Sequence, residues 1–150
     1  MSVYADTGFI VSLYKTETTS ARAARIMKRL QAPVWLSQLG ELELRNAFQL
    51  AVFRGELGAD AAACKMRLLL GDLQTGIFAI MPVPTFALYA KAAELADRHS
   101  ARLGSRSLDL LHVAVALLLK AETFLSFDER QRKVAKAEGL KVLPRESVRR

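Results

Sequence analysis

The chain has 150 residues, 51% of them hydrophobic, with a mean hydropathy of +0.14, which excludes a disordered or low-complexity polymer. Its single cysteine, Cys64, excludes an internal disulfide framework and any multi-cysteine metal centre. Lys and Arg outnumber Asp and Glu by 22 to 15, a net charge of +7 that suits a polyanionic partner, nucleic acid above all.

Short apolar or β-branched runs alternate with longer helical ones, which predicts an α/β fold with a parallel sheet. Met1–Ala5 reads as a first strand and Asp6–Tyr14 as a short helix. No basic segment precedes this apolar opening, and Asp6 lies inside it, so it does not read as a secretory signal. Ser20–Gln31 is an amphipathic helix, broken by Pro33 before a second strand at Val34–Leu36. Gln38–Arg54 is helical and apolar on more than one side, which predicts extensive burial, and Ala59–Gln74 is the next helix. Phe78–Val83 reads as a third strand, and Thr85 as the cap of a helix reaching about Arg102. Gly104 marks a break, and Ser107 reads as the cap of the apolar helix Leu108–Lys120. The run Leu110–Leu119 is too short to span a bilayer. Thr123–Phe127 is a fourth strand, Asp128–Glu138 a helix, and Leu140–Leu143 an edge strand before a basic tail. The expectation is one cytoplasmic domain over residues 1–150, a three-layer α/β/α sandwich on a mainly parallel sheet of four to five strands, with no membrane segment.

Three acids fall where such sheets gather ligands, at the carboxyl ends of strands and the helix starts beyond them. Asp6 comes directly after the first strand, Asp128 after the fourth, and Asp109 opens an otherwise apolar helix. Each also reads as an ordinary helix cap or first-turn carboxylate. A fourth acid comes from Glu41-Leu42-Glu43-Leu44-Arg45-Asn46-Ala47. Residues two apart on a helix point about 200° away from each other, so only one glutamate faces a given site. Glu43 shares a face with Asn46, Ala47 and Leu50, whereas Glu41 has Arg45 as an i, i+4 ion-pair partner. Glu43 is the choice and Glu41 the reserve.

Taken together, Tyr4-Ala5-Asp6-Thr7-Gly8, Leu42-Glu43-Leu44-Arg45-Asn46-Ala47, Asp109-Leu110-Leu111-His112-Val113-Ala114 and Phe124-Leu125-Ser126-Phe127-Asp128 resemble the PIN-domain ribonucleases, with the VapC-type toxins of toxin–antitoxin pairs as the nearest branch. The resemblance extends over nearly the whole chain in length, motif order and spacing. It implies that Asp6, Glu43, Asp109 and Asp128 form the acidic constellation, and that Thr7 and Ser126 are hydroxyls orienting a carboxylate or a water. Gly8 stands where many members have serine. The resemblance further implies an RNA substrate cut to leave a 5′-phosphate and a 3′-hydroxyl, a small antitoxin partner and a homodimer.

The chemistry of such a cluster is electrostatic. Two carboxylates about 4 Å apart repel by about 4 kcal/mol at an effective dielectric near 20. Several therefore share a pocket only with raised pKa values or a bound cation. All-oxygen donors favour Mg²⁺, with Mn²⁺ as the alternative, over zinc. Asp6, Asp109 and Asp128 are the expected ligands, with Glu43 acting through water.

Other residues read more plainly. His112 lies three residues after Asp109 but lacks further nitrogen or sulfur ligands nearby, and reads as a structural histidine. His99 reads as a surface residue, Cys64 as a small buried hydrophobe and Trp35 as core. Arg102, Arg106, Arg130, Arg132 and Lys133 flank the third and fourth acidic motifs and form a candidate RNA-binding rim. Two further functional readings remain: a PIN-type processing nuclease without an antitoxin, and a non-catalytic nucleic-acid-binding module. A phospho-acceptor signalling domain is excluded, because Thr7 rather than a second acid succeeds Asp6 and no lysine succeeds the fourth strand.

Overall fold

A computed structural model describes residues 1–146. The strands are β1 (Val3–Ala5), β2 (Val34–Leu36), β3 (Phe78–Ile80), β4 (Thr123–Leu125) and β5 (Lys141–Leu143). All pair in parallel, in the spatial order β3-β2-β1-β4-β5. Helices α1 (Thr7–Tyr14), α2 (Ser20–Arg29), α3 (Gln38–Phe53) and α4 (Ala59–Gln74) precede β3 in the chain. Then come α5 (Thr85–Leu95), a π-helical turn (Ala96–Ser100), α6 (Ala101–Leu103), α7 (Ser107–Leu118) and α8 (Glu129–Ala137).

The period-2 alternation of the strands sorts their side chains into two cores. Val3, Ala5, Val34 and Leu36 face one layer with Phe9, Ile10, Leu44 and Leu69 from α1, α3 and α4. Tyr4, Trp35 and Phe124 face the other, with Leu95, Val115 and Val134 from α5, α7 and α8. Helices therefore cover both faces, and the architecture is the expected α/β/α sandwich. Both faces of short parallel strands are buried, so β1 and β4 are buried throughout.

Several local expectations are corrected. Thr85 and Ser107 are not caps: Pro84 and Arg106 occupy those positions, and Asp109 supplies the side chain that meets the Arg106 backbone. The helical segment from Thr85 does run to Leu103 as expected, but a π turn at Ala96–Ser100 adds a residue and rotates the segment beyond it. That rotation buries His99, expected at the surface, with its Nε2 2.5 Å from Glu138 Oε1. Helix α3 buries only the stripe Gly40, Leu44, Phe48 and Ala51, leaving Leu42, Leu50 and Phe53 exposed. Cys64 is exposed rather than buried, since it lies two positions, about 200°, from the buried Ala62. Residues 147–150 of the basic tail lie outside the described residues. Among the described residues no helix is long and apolar enough to cross a membrane.

Candidate active site

The strand order creates the site. The chain leaves β1 for β2 on one side and later returns to β4 on the other, which opens a crevice past the carboxyl ends of β1 and β4. Asp6 is the first residue beyond β1, its backbone N–H bonded to Leu125 O at 3.0 Å. Ser126 and Asp128 lead from β4 into the same crevice. Helix α3 brings Glu43 and α7 brings Asp109. A cleft of about 590 Å³ is lined by Asp6, Thr7, Glu43, Asp109, His112 and Asp128, among others. Glu41 is not among its lining residues and instead pairs with Arg45 at 3.0 Å.

Capping and cleft-lining turn out to be compatible for the aspartates. Asp6 Oδ1 accepts from Phe9 N at 2.8 Å, capping α1, while Oδ2 accepts from Ser126 Oγ at 2.5 Å. Ser126 Oγ in turn accepts from Asp128 N at 3.0 Å, so one hydroxyl ties the ends of β1 and β4 together. Asp128 Oδ1 caps α8 by accepting from Arg130 N and Gln131 N at 2.9 and 3.1 Å. Asp109 Oδ2 accepts from Arg106 N at 3.0 Å. Burial pushes the Asp6 carboxyl up to about 6, and the neighbouring Asp128 charge adds to the rise. His112 and the bonds from Ser126 and Phe9 hold it from rising further.

Glu43 is held differently. Its Oε1 accepts from Thr7 Oγ1 at 2.9 Å and meets His112 Nε2 at 2.5 Å. The other imidazole nitrogen, Nδ1, lies 2.7 Å from Tyr4 Oη, which also reaches Ser37 Oγ at 3.2 Å. The buried ring is thus clamped between a phenol and a carboxylate, which puts the Nε2 proton toward Glu43. Burial works to raise the Glu43 carboxyl, but the bond and charge of His112 and the Thr7 bond outweigh it, and its pKa falls below the ordinary value.

Oxygen donors suited to a hard divalent cation line this cleft, and Gln131 adds a buried Oε1 with no hydrogen-bond partner. Among the described residues, no three His, Cys, Asp or Glu side chains stand together as a ready-made ligand set. The capping bonds hold the aspartates on separate elements. The donor set therefore fits Mg²⁺ or Mn²⁺ in chemistry.

The basic rim is narrower than expected. Arg106 lines the cleft, and Arg102, Arg130 and Lys133 are exposed beyond it. Arg132 does not belong to a rim: it is 3% exposed and donates to Ser126 O and Pro144 O, both at 2.7 Å. It braces the loop carrying Ser126, because two carbonyls leaving the sheet need donors that no strand supplies. Arg132→Ala is expected to lower stability by roughly 2–4 kcal/mol through these orphaned carbonyls, whereas Lys133→Ala leaves the melting temperature within error. Thermal melting of both variants checks this.

Tyr4, Ser37, Gln131 and the cleft-lining Glu17 escaped sequence reasoning. Tyr4 and Ser37 reach the site only through the packing of β1 against α3 and α7. The His112 position, one helical turn after Asp109, was the available signal for that side of the network.

The fold is shared with solved structures. The chain resembles VapC20 of Mycobacterium tuberculosis, described as a sarcin-ricin loop cleaving toxin, at a TM-score of 0.68 and 21% identity, covering 93% of this chain and 96% of that one. It also resembles FitAcB of Neisseria gonorrhoeae (TM-score 0.61, 19% identity, 93% and 95% covered). VapBC2 of Rickettsia felis, solved on a DNA fragment from its promoter, matches at a TM-score of 0.64 and 14% identity over 95% and 97% of the two chains. No curated protein matches the sequence. The PIN domain model matches residues 3–137, nine-tenths of the chain, with every carboxylate of the cleft inside the match: this chain belongs to the PIN-domain family.

Proposed function

We propose that this protein is a divalent-metal-dependent endoribonuclease acting as the toxin of a toxin–antitoxin pair. The observation that carries the reading is the convergence of Asp6, Glu43, Asp109 and Asp128, each from a different element, in one cleft of a PIN-family chain, a cleft that Glu17 also lines. The likeness to VapC20 and to the VapBC2 and FitAcB assemblies supports RNA as the substrate class and a small antitoxin as partner. A homodimer in the cytoplasm completes the proposal.

Asp6, Asp109 and Asp128 would hold Mg²⁺ or Mn²⁺. When bound, the ion supplies Lewis-acid stabilisation of a phosphodiester and lowers the pKa of a water. Glu43 orients the attacking water. Its Oε1 is engaged by Thr7 and His112, which leaves Oε2 free to accept a hydrogen bond from the water. Water adds through its oxygen to phosphorus, the P–O3′ bond breaks, and the proton passes to the leaving oxygen, giving a 5′-phosphate and a 3′-hydroxyl. Ser126 fixes the Asp6 carboxylate, and Arg106 beside Asp109 offers the substrate phosphate a cation.

The test is cleavage of RNA with Mg²⁺, with EDTA, and by two glutamate variants. Glu43→Gln is expected to lower the rate at least a hundredfold, and EDTA to abolish cleavage. Glu41→Gln, which removes only a surface ion pair, is expected to cleave at the wild-type rate. Equal activity of the two variants would refute the assignment of Glu43.

A further inference from the structure

A second groove, of about 440 Å³, lies along the outer edge of the sheet, where α2 passes β5. Arg22, Arg25 and Arg29, spaced three and four apart, present one face of α2 to it, and Lys141 and Arg145 close the other side over Leu143. Among the described residues no carboxylate lines it. Elsewhere many cations are neutralised: Lys15 by Glu56, Arg45 by Glu41, Arg98 by Glu94 and Glu138, Lys136 by Glu146. Among the described residues none of the five groove cations has such a partner. Arg22 instead donates to the carbonyl of Arg145, which fixes one guanidinium on the rim.

Five like charges around one groove repel one another and hold a local counter-ion population. A polyanion that displaces those ions gains their release entropy, so the arrangement favours phosphates over isolated small anions. The geometry is that of a track rather than a point site. Arg22 to Arg29 spans about 10 Å of helix axis at 1.5 Å per residue, and a nucleic-acid strand advances about 3.4 Å per nucleotide. One end of the groove lies at the carboxyl-terminal end of the sheet. It ends where β5 gives way to Pro144, two strands from β1, and parallel strands lie about 4.8 Å apart. Asp6 leaves β1 at that same carboxyl-terminal end of the sheet.

We propose that this groove binds the phosphate backbone of an RNA strand whose adjoining segment enters the carboxylate cleft. The inference rests on the nuclease reading for its choice of RNA. The contacts are to phosphates, so the groove contributes affinity and register and leaves sequence selection to the cleft.

Binding is measured by fluorescence anisotropy across a KCl series, in an Asp6→Asn background that leaves the RNA intact. The probes are a labelled random-sequence single-stranded RNA long enough to reach both sites and a short one that fills only the cleft. Against this background, Arg25→Gln/Arg29→Gln/Lys141→Gln is expected to bind the long RNA about tenfold or more weakly at low salt. The slope of log affinity against log salt should become shallower by about 2, at about 0.7 per charge removed. Affinity for the short RNA should hold. The charge-keeping Arg25→Lys/Arg29→Lys/Lys141→Arg variant should retain both affinity and slope, which separates charge from folding. An unchanged affinity and slope in the glutamine variant overturns the proposal. So does a variant that loses only poly-glutamate binding, since the groove would then take an acidic protein segment. Failure of the wild-type protein to cut RNA would overturn the nuclease reading while leaving this slope measurement intact.

Discussion

An Asp6→Asn variant is expected to lose about three orders of magnitude in RNA cleavage and yet to melt higher than the wild type in metal-free buffer at neutral pH. The two effects come from one carboxylate. Asp6 is 1% exposed, and burial pushes its carboxyl up to about 6. The unfolded value is near 3.9, so the folded state holds the proton more tightly. Protonation of Asp6 therefore stabilises the fold fully below about pH 3.9, and that contribution is lost as pH rises through about 6. At pH 7 the ionised, metal-free carboxylate costs about 3 kcal/mol, from about two pKa units at 1.36 kcal/mol each. Asparagine keeps the geometry, since it caps helices as well as aspartate does and its Oδ1 still accepts from Phe9 N. Its Nδ2 then donates to Ser126 Oγ. What it lacks is the charge that a divalent cation and its phosphodiester require, which is worth several kcal/mol of transition-state stabilisation. Differential scanning fluorimetry with and without Mg²⁺ checks the pairing. Wild type should rise with Mg²⁺ and the variant should not respond. An Asp6→Asn protein that cleaves at the wild-type rate, or melts lower in EDTA, would overturn the dual role of this carboxylate.

This dual character explains how far the sequence could be read. Asp6, Asp109 and Asp128 each carry a helix-capping signature, and each does accept capping bonds. The cap reading and the cleft reading compete along the chain. In the fold they coincide, because the carboxyl ends of parallel strands are also where the next helices begin. The parallel sheet, with its first and fourth strands side by side, was legible in the alternation of elements, and helical periodicity separated the face of Glu43, which lines the cleft, from that of Glu41, which does not. Asn46, Ala47 and Leu50, expected on the Glu43 face, line the cleft with it.

Periodicity does not supply distance between elements. Arg132 reads as one more cation of a basic helix, and only the path of the chain past Pro144 shows two carbonyls waiting for its guanidinium. His99 was misplaced because a π turn shifts the helical register without any proline or glycine to announce it. The excess of bases likewise gave no location. Their most concentrated unpaired group among the described residues lies along α2 and β5, and not on the arginines flanking the third and fourth acids.

His112→Ala is expected to move the acidic limb of the pH–rate profile upward, a change that Tyr4→Phe does not reproduce. His112 is 1% exposed and joins Tyr4 Oη to Glu43 Oε1 through its two nitrogens. Removing it leaves a cavity and strips the Tyr4 phenol of its shorter bond, leaving the one to Ser37, at a cost of roughly 2–4 kcal/mol. Tyr4→Phe keeps the shape of the core and removes the phenol's bonds to His112 Nδ1 and Ser37 Oγ, at a cost of roughly 1–2 kcal/mol. Stability alone thus fails to separate a packing role from a role in setting the charge of Glu43. The pH profile does separate them. In the wild type His112 and Thr7 lower the Glu43 pKa against the pull of burial, so the carboxylate stays ionised on acidification. Its contribution to stability is present above the ordinary glutamate range and is lost only as pH falls through the lowered folded value. Without the imidazole, burial dominates, and the proton returns to Glu43 at a higher pH. Activity that needs an ionised Glu43 then fails earlier on the acid side. Tyr4→Phe leaves the Nε2–Glu43 bond in place and with it the position of the limb. Rates measured well below each variant's melting temperature decide the matter: if His112→Ala keeps the wild-type limb, the imidazole serves packing alone.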